Sequence, residues 1–384
     1  MVRSTRRLSR RDFLKQLGAG AGAVALGGGA AAALAAGAGR GGRLAGAGLG
    51  EGAAGAAAGL GMPPEPRFAG ETIFPDFPLT QLYKKVETPS RVSLVKGESR
   101  YDIVMRALKL VEDDVLAAIG NKRVLVKPNI VLSQCALCCT PVEATRAVLD
   151  WLKPHYRKRV LIAESGNQNT MEGFKNYGYL DLKKNYDVEI ADLNLEKGEY
   201  RYMLGLDNKP VGVRIIKTFL DPDVYVISLA RMKTHNYVFV TLSLKNVLMA
   251  APLNEYGGRN DKGLMHMAAA SRNDLLHFNM FHLGQEVWPD LAVIDGFEGM
   301  EGKGPAWGTP IASRVALASR DALACDITGT RVMGYDPKTI NYLTAMAEAG
   351  MGQGDTGKIE IVGTPLEQCV MKYKPNPDMA EIYK

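Results

Sequence analysis

The chain has 384 residues, 46% of them apolar and 23% charged, with a formal net charge of +6 at neutral pH. That balance excludes a disordered chain and an integral membrane bundle, and it suits one large domain or two small ones. Much of the charge sits in Arg3, Arg6, Arg7, Arg10, Arg11 and Lys15, set against Asp12, so the remainder is close to neutral and offers no basic face for nucleic acid.

The first informative segment is Ser9-Arg10-Arg11-Asp12-Phe13-Leu14-Lys15, which stands directly before residues 16–39, an uncharged stretch mostly of Ala and Gly. This pattern resembles a twin-arginine export signal, and Ala33-Leu34-Ala35 offers a small-x-small cleavage site. The resemblance implies a signal peptide over residues 1–35, the twin-arginine translocase as a partner, and a periplasmic or extracellular address. Residues 36–90 read as a linker, rich first in Gly and Ala and then in Pro. No later stretch is apolar enough to span a bilayer, so no stable membrane span is expected in the mature form.

From residue 91 onward, apolar runs of strand length alternate with helical periodicity. Strands are expected at 92–95, 123–127, 160–163, 188–191, 224–229, 291–294, 315–318 and 359–362, and helices at 99–119, 140–152, 171–177, 321–333 and 338–349. Thr140 reads as the N-cap of the second helix, with Pro141 in its first turn and Glu143 completing a capping box. The alternation predicts a single large three-layer α/β/α domain with a mostly parallel sheet over residues 91–366, followed by a C-terminal tail, 367–384.

In such sheets ligands bind beyond the carboxyl ends of the strands. Lys127-Pro128-Asn129, Glu164-Ser165-Gly166-Asn167, Lys233-Thr234-His235 and Asp295-Gly296 all follow apolar strands. Lys127, Lys245 and Lys303, with the amides Asn129 and Asn246, suit binding of a small anionic ligand, a carboxylate or a phosphate. His235, Lys233, Glu164 and Asp295 are the candidate catalytic groups for moving protons. Glu298, Glu301 and Asp326 offer oxygen ligands to a divalent metal. Each of these residues is also ordinary loop composition or half of a structural ion pair.

Cys135, Cys138 and Cys139 fall between the 123–127 strand and the 140–152 helix. Three thiols there read as a metal or redox centre, as a Cys135–Cys138 disulfide, or as small buried residues filling a turn. Met265-His266-Met267 and residues 277–282 add imidazole and thioether donors for copper, although the five-residue step from His277 to His282 fits a core helix better. Two functions therefore stand side by side: an exported enzyme acting on a small anionic substrate, and a non-catalytic metal or redox protein centred on the cysteines.

Lys127-Pro128-Asn129, Lys233-Thr234-His235, Leu244-Lys245-Asn246 and the run DGFEGMEGKGPAWGTP at 295–310, followed by Asp321, Asp326 and Met333-Gly334, resemble the family catalogued as domain of unknown function 362. The resemblance covers roughly residues 91 to 366. It implies a domain whose biochemistry is largely unassigned. It also makes an iron-sulfur cluster a candidate cofactor, because some members carry a ferredoxin-type module, although the cysteine spacing here departs from the ferredoxin run.

Overall fold

Strands and helices alternate through residues 86–267 and 273–379, which are the residues described by the computed structural model. The expected signal peptide, most of the linker and residues 380–384 lie outside them. From edge to edge the main sheet runs β12 (Ile359–Gly363), β1 (Ser90–Lys96), β11 (Val315–Ser319), β9 (Leu291–Glu301), β7 (Val224–His235), β2 (Arg123–Pro128), β3 (Val160–Glu164) and β4 (Val188–Asp192). Five of these seven pairings are parallel; β11 runs against both of its neighbours.

Side chains alternate across a strand, so each apolar run feeds two cores. Val95, Val124 and Val126 join one cluster, covered by α1 (Arg100–Lys109), α2 (Glu112–Ile119), α3 (Val142–Leu152) and α4 (Thr170–Asn176). Leu94 and Leu125 join the other, covered by α5 (Ser243–Leu248), α6 (Asp261–Met267), α7 (Asn273–Gly284), α8 (Ala322–Val332) and α9 (Asn341–Glu348). This is the three-layer α/β/α arrangement expected from the alternation.

Four local features differ from the sequence expectation. The 99–119 helix divides at Leu110 and Val111, because Glu112, Asp113 and Asp114 stand together and are favoured in a first turn over a helix interior. β7 and β9 run on to His235 and Glu301, so Lys233, His235 and Asp295 lie within strands rather than in loops. Short strands β8 (Phe239–Thr241) and β10 (Thr309–Ile311) pair with those extensions, and a separate hairpin, β5 (Gly198–Leu204) with β6 (Pro210–Ile216), was not foreseen. Residues 367–379, expected as a tail, pack on the domain: Met371 N–H donates to Val332 O at 2.7 Å, Gly302 N–H donates to Lys374 O at 2.8 Å, and Tyr373 is buried.

The capping box also fails. Pro141 takes the cap position of α3, and Glu143 reaches Arg100 instead of its own helix. Thr140 Oγ1 is engaged elsewhere: it accepts from Asn129 N–H at 2.9 Å and donates to Leu229 O at 2.8 Å, tying the end of β2 to β7. Thr140→Val keeps the shape but removes both bonds from a buried position. The expected result is a loss of about 1–3 kcal/mol, read as a lower urea midpoint at unchanged m-value.

Candidate functional site

β2, β3 and β7 end on the same edge of the sheet, and their last residues meet α5 and α6 around a cavity of about 70 Å³. Lys127 Nζ donates to Glu164 Oε2 at 2.8 Å, to Asn246 O at 2.8 Å and to Asn246 Oδ1 at 2.6 Å, which uses all three of its protons. Lys233 Nζ donates to Asn129 Oδ1 at 2.5 Å and to the Cys138 carbonyl at 2.6 Å. Lys262 Nζ donates to the backbone oxygen and hydroxyl of Ser165. Lys245 completes the group, and its Nζ makes no hydrogen bond with any described residue. Thr241 Oγ1, also lining the cavity, is buried without a partner.

Glu164 is the single carboxylate among the lining residues. It accepts from Lys127 Nζ, from Ile130 N–H at 2.8 Å and from Ser165 N–H at 2.7 Å, so its oxygens are taken up by internal donors. Four buried lysines against one carboxylate leave an excess of positive charge. Burial lowers Lys127, opposed by Glu164, and it lowers Lys233 as well. Lys245 is brought down to about 7 by burial and by the neighbouring Lys233, Lys262 and Lys127; Lys262 is brought down to about 8, again chiefly by burial.

Two imidazoles border the cavity with opposite polarity. His235 Nδ1 accepts from Tyr237 N–H at 3.0 Å and Val238 N–H at 3.4 Å, so the ring proton sits on Nε2. His266 Nδ1 lies 3.0 Å from Lys262 O, a group that only accepts, so its proton is on Nδ1 and Nε2 is bare. Burial, with Lys245 next in importance, keeps both rings neutral: His235 falls well below its ordinary value and His266 falls to about 3. His235, expected to move protons, thus presents an Nε2–H donor at this site. The two rings lie 6.4 Å apart between centroids and also border an adjoining vestibule of about 490 Å³, lined further by Lys303, Pro305, Tyr237 and the exposed Trp307.

The structure brings together Lys127, Asn129, Glu164, Lys233, His235, Lys245 and Asn246, and it places Lys303 in the vestibule. The other expected site residues lie outside the cavity. Asp295 is fully buried, pairs with Arg100 Nε at 3.0 Å and accepts from Phe297 N–H at 3.0 Å. Glu298 receives Arg231 Nη2 at 2.6 Å, and Glu301 receives Lys374 N–H at 2.9 Å. Asp326 accepts from Ser243 N–H and Leu244 N–H at 2.8 and 2.9 Å, anchoring the start of α5.

These carboxylates and the cysteines do not converge on one point among the described residues. Among the described residues no three His, Cys, Asp or Glu side chains converge to hold an ion. All five cysteines are free. Cys138 and Cys139 belong to one core while Cys325 and Cys369 belong to the core on the opposite face of the sheet, so they cannot complete one ligand set. What the loop contributes is backbone: Cys138 O to Lys233, and Ala136 O and Cys139 O to Arg231 Nη1 at 3.0 and 3.1 Å.

Lys262 and Thr241 were missed as site residues, and His266 was singled out only as a copper donor, not as a lining group of this cavity. The signal was present for Lys262 and His266, four residues apart on one short helix and therefore on one face. His277, by contrast, accepts from Tyr342 N–H in the core, as the five-residue spacing suggests.

The family described as Domain of unknown function (DUF362) matches residues 124–331, a span that includes Lys127, Glu164, Lys233, His235, Lys245, Lys262 and His266. A thylakoid-associated protein of Synechocystis sp. is 28% identical over 243 residues, covering 62% of this chain and 72% of that protein. A crystal structure of a protein from Thermotoga maritima aligns with a TM-score of 0.39 at 11% identity, over 67% of this chain and 60% of the other.

The lysine cluster has a measurable effect on folding. Native Lys245 and Lys262 titrate near 7 and 8, below the 10.5 of an ordinary lysine, so between those values the unfolded chain binds more protons than the native one. Stability should rise with pH across that window and be lost as pH falls through 7. Lys245→Met should flatten the rise by about 1.4 kcal/mol per pH unit in urea melts between pH 7 and 9. An unchanged slope would mean that Lys245 is solvated.

Proposed function

Because this chain belongs to the DUF362 family, a domain of unknown function, we propose its function from its own site: an enzyme that binds a small anionic substrate, a carboxylate or phosphate, and moves protons on it. The observation carrying this reading is the convergence of four buried lysines on one cavity with a single carboxylate, with Lys245 Nζ left without a hydrogen-bond partner among the described residues. A water needs about 10–15 Å³ of such space, so a cavity of about 70 Å³ suits a group of a few heavy atoms. Lys233 and Lys262 each retain a proton to donate after their internal bonds, and His235 Nε2–H supplies a neutral donor. Proton transfer falls to the groups that are unprotonated near neutrality, Lys245 Nζ and His266 Nε2.

Thermal unfolding with inorganic phosphate, acetate and pyruvate tests the anion site. At least one should stabilise the protein, by about 2.7 kcal/mol when present at 100 times its dissociation constant. Lys245→Met at pH 6 should weaken that ligand by roughly tenfold or more, the worth of one charged hydrogen bond. Absence of stabilisation by any small anion would refute the reading.

Export by the twin-arginine route to the periplasm or beyond is part of the same proposal, supported by Arg10-Arg11 and the uncharged segment that follows. Among the described residues no helix is long and apolar enough to cross a membrane. Replacing Arg10 and Arg11 together with Lys should leave unprocessed precursor in the cytoplasm on a blot of fractionated cells, whereas unchanged export would exclude this route.

A further inference from the structure

The four lysines of the cavity are not equivalent. Lys127, Lys233 and Lys262 are each fixed by two or more internal acceptors, whereas Lys245 lines the cavity and its Nζ makes no hydrogen bond with any described residue. The fixed groups hold positive charge around it. We propose that Lys245 Nζ is a nucleophile that forms an imine with small anionic carbonyl compounds of the 2-oxo acid class. This rests on the anion-site reading above and adds a covalent step to it.

The placement of the remaining groups suits that step. The remaining N–H bonds of Lys233 and Lys262 would hold the substrate carboxylate, since Lys127 has none to spare. His235 Nε2–H can donate to the carbonyl oxygen, as its Nδ1 is occupied by backbone N–H groups. The Nζ lone pair attacks the carbonyl carbon, a C–N bond forms, and the C=O π pair moves to oxygen, which takes a proton from solvent in the vestibule. The bare His266 Nε2 is placed to accept a proton from the nitrogen and return it to the departing oxygen. The C–O bond then breaks, water leaves through the vestibule, and the nitrogen is left doubly bonded to carbon. One amine, one carbonyl and one proton give one protonated imine and one water, with no oxidant or reductant needed. A lysine near three other ammonium groups is also the arrangement that keeps an amine unprotonated at neutral pH. With a value near 7, the unprotonated fraction of Lys245 at pH 7 exceeds that of an ordinary lysine by about a thousandfold.

Borohydride trapping decides the matter. The full chain is incubated with pyruvate and sodium cyanoborohydride, and the adduct is located by peptide mass spectrometry, alongside the thermal shift with pyruvate alone. One reduced adduct per chain on Lys245 is expected, increasing as pH rises from 6 to 8, and it should be absent from Lys245→Arg while other lysines react only as they do in urea-unfolded protein. Stabilisation by pyruvate without an adduct at Lys245 would overturn the imine and leave the anion site standing. Neither stabilisation nor adduct would overturn both. The wild-type map is decisive by itself, so the conclusion survives should the arginine variant fold poorly.

Discussion

The organisation of this molecule turns on the ion pair between Lys127 and Glu164. The two residues end neighbouring parallel strands, and the pair is 2.8 Å long and almost wholly buried. Burying an ion costs several kcal/mol, so such a pair persists only where its remaining valences are met. Here they are. Asn246 closes the last two positions on Lys127, and the backbone amides of Ile130 and Ser165 meet Glu164. With that pair in place, the loops after β2 and β3 and the helix α5 are fixed to one another, and α5 is the element that carries Lys245. The concentration of positive charge in the cavity is tolerable because each of the other fixed lysines is locally solvated by protein oxygen.

A second set of polar contacts holds this frame from outside. Asp326 on α8 receives the first amides of α5, Arg231 binds the cysteine loop to β9, and Arg100 joins Asp295 to Glu143 across α1, β9 and α3. None of these touches the cavity. Their side chains are of the kinds that catalysis uses, and the contacts they make here position other elements.

Much of the architecture was legible because apolar runs of strand length are a local signal, and the rule that ligands sit beyond strand ends then selected Lys127, Glu164, Lys233 and His235. Legibility stopped where partners are distant. Asp295 meets Arg100, which lies 195 residues earlier, and no spacing within the 295–310 run records it. The role of His235 depends on two amides just after it, at a turn into β8 that was not foreseen. Lys262 was overlooked, and His266 weighed only as a copper donor, because a seven-residue helix has too few positions to display a periodic face, although their spacing of four was there to be seen. Thr140 was misread for a related reason: a hydroxyl beside a proline suits a cap, but here a strand carbonyl from residue 229 competes for it and wins.

The cysteine loop serves the site through main-chain oxygens alone: Lys233 and Arg231 contact the carbonyls of residues 136, 138 and 139, and no thiol among the described residues reaches the cavity. The path of the backbone there is therefore under constraint while the identity of the side chains is much less so. Any small residue that fills the same volume would leave the two cations equally well solvated. Relatives sharing this cavity are accordingly to be expected with serine, alanine or glycine at these positions, and a cysteine pattern is a poor marker by which to group them.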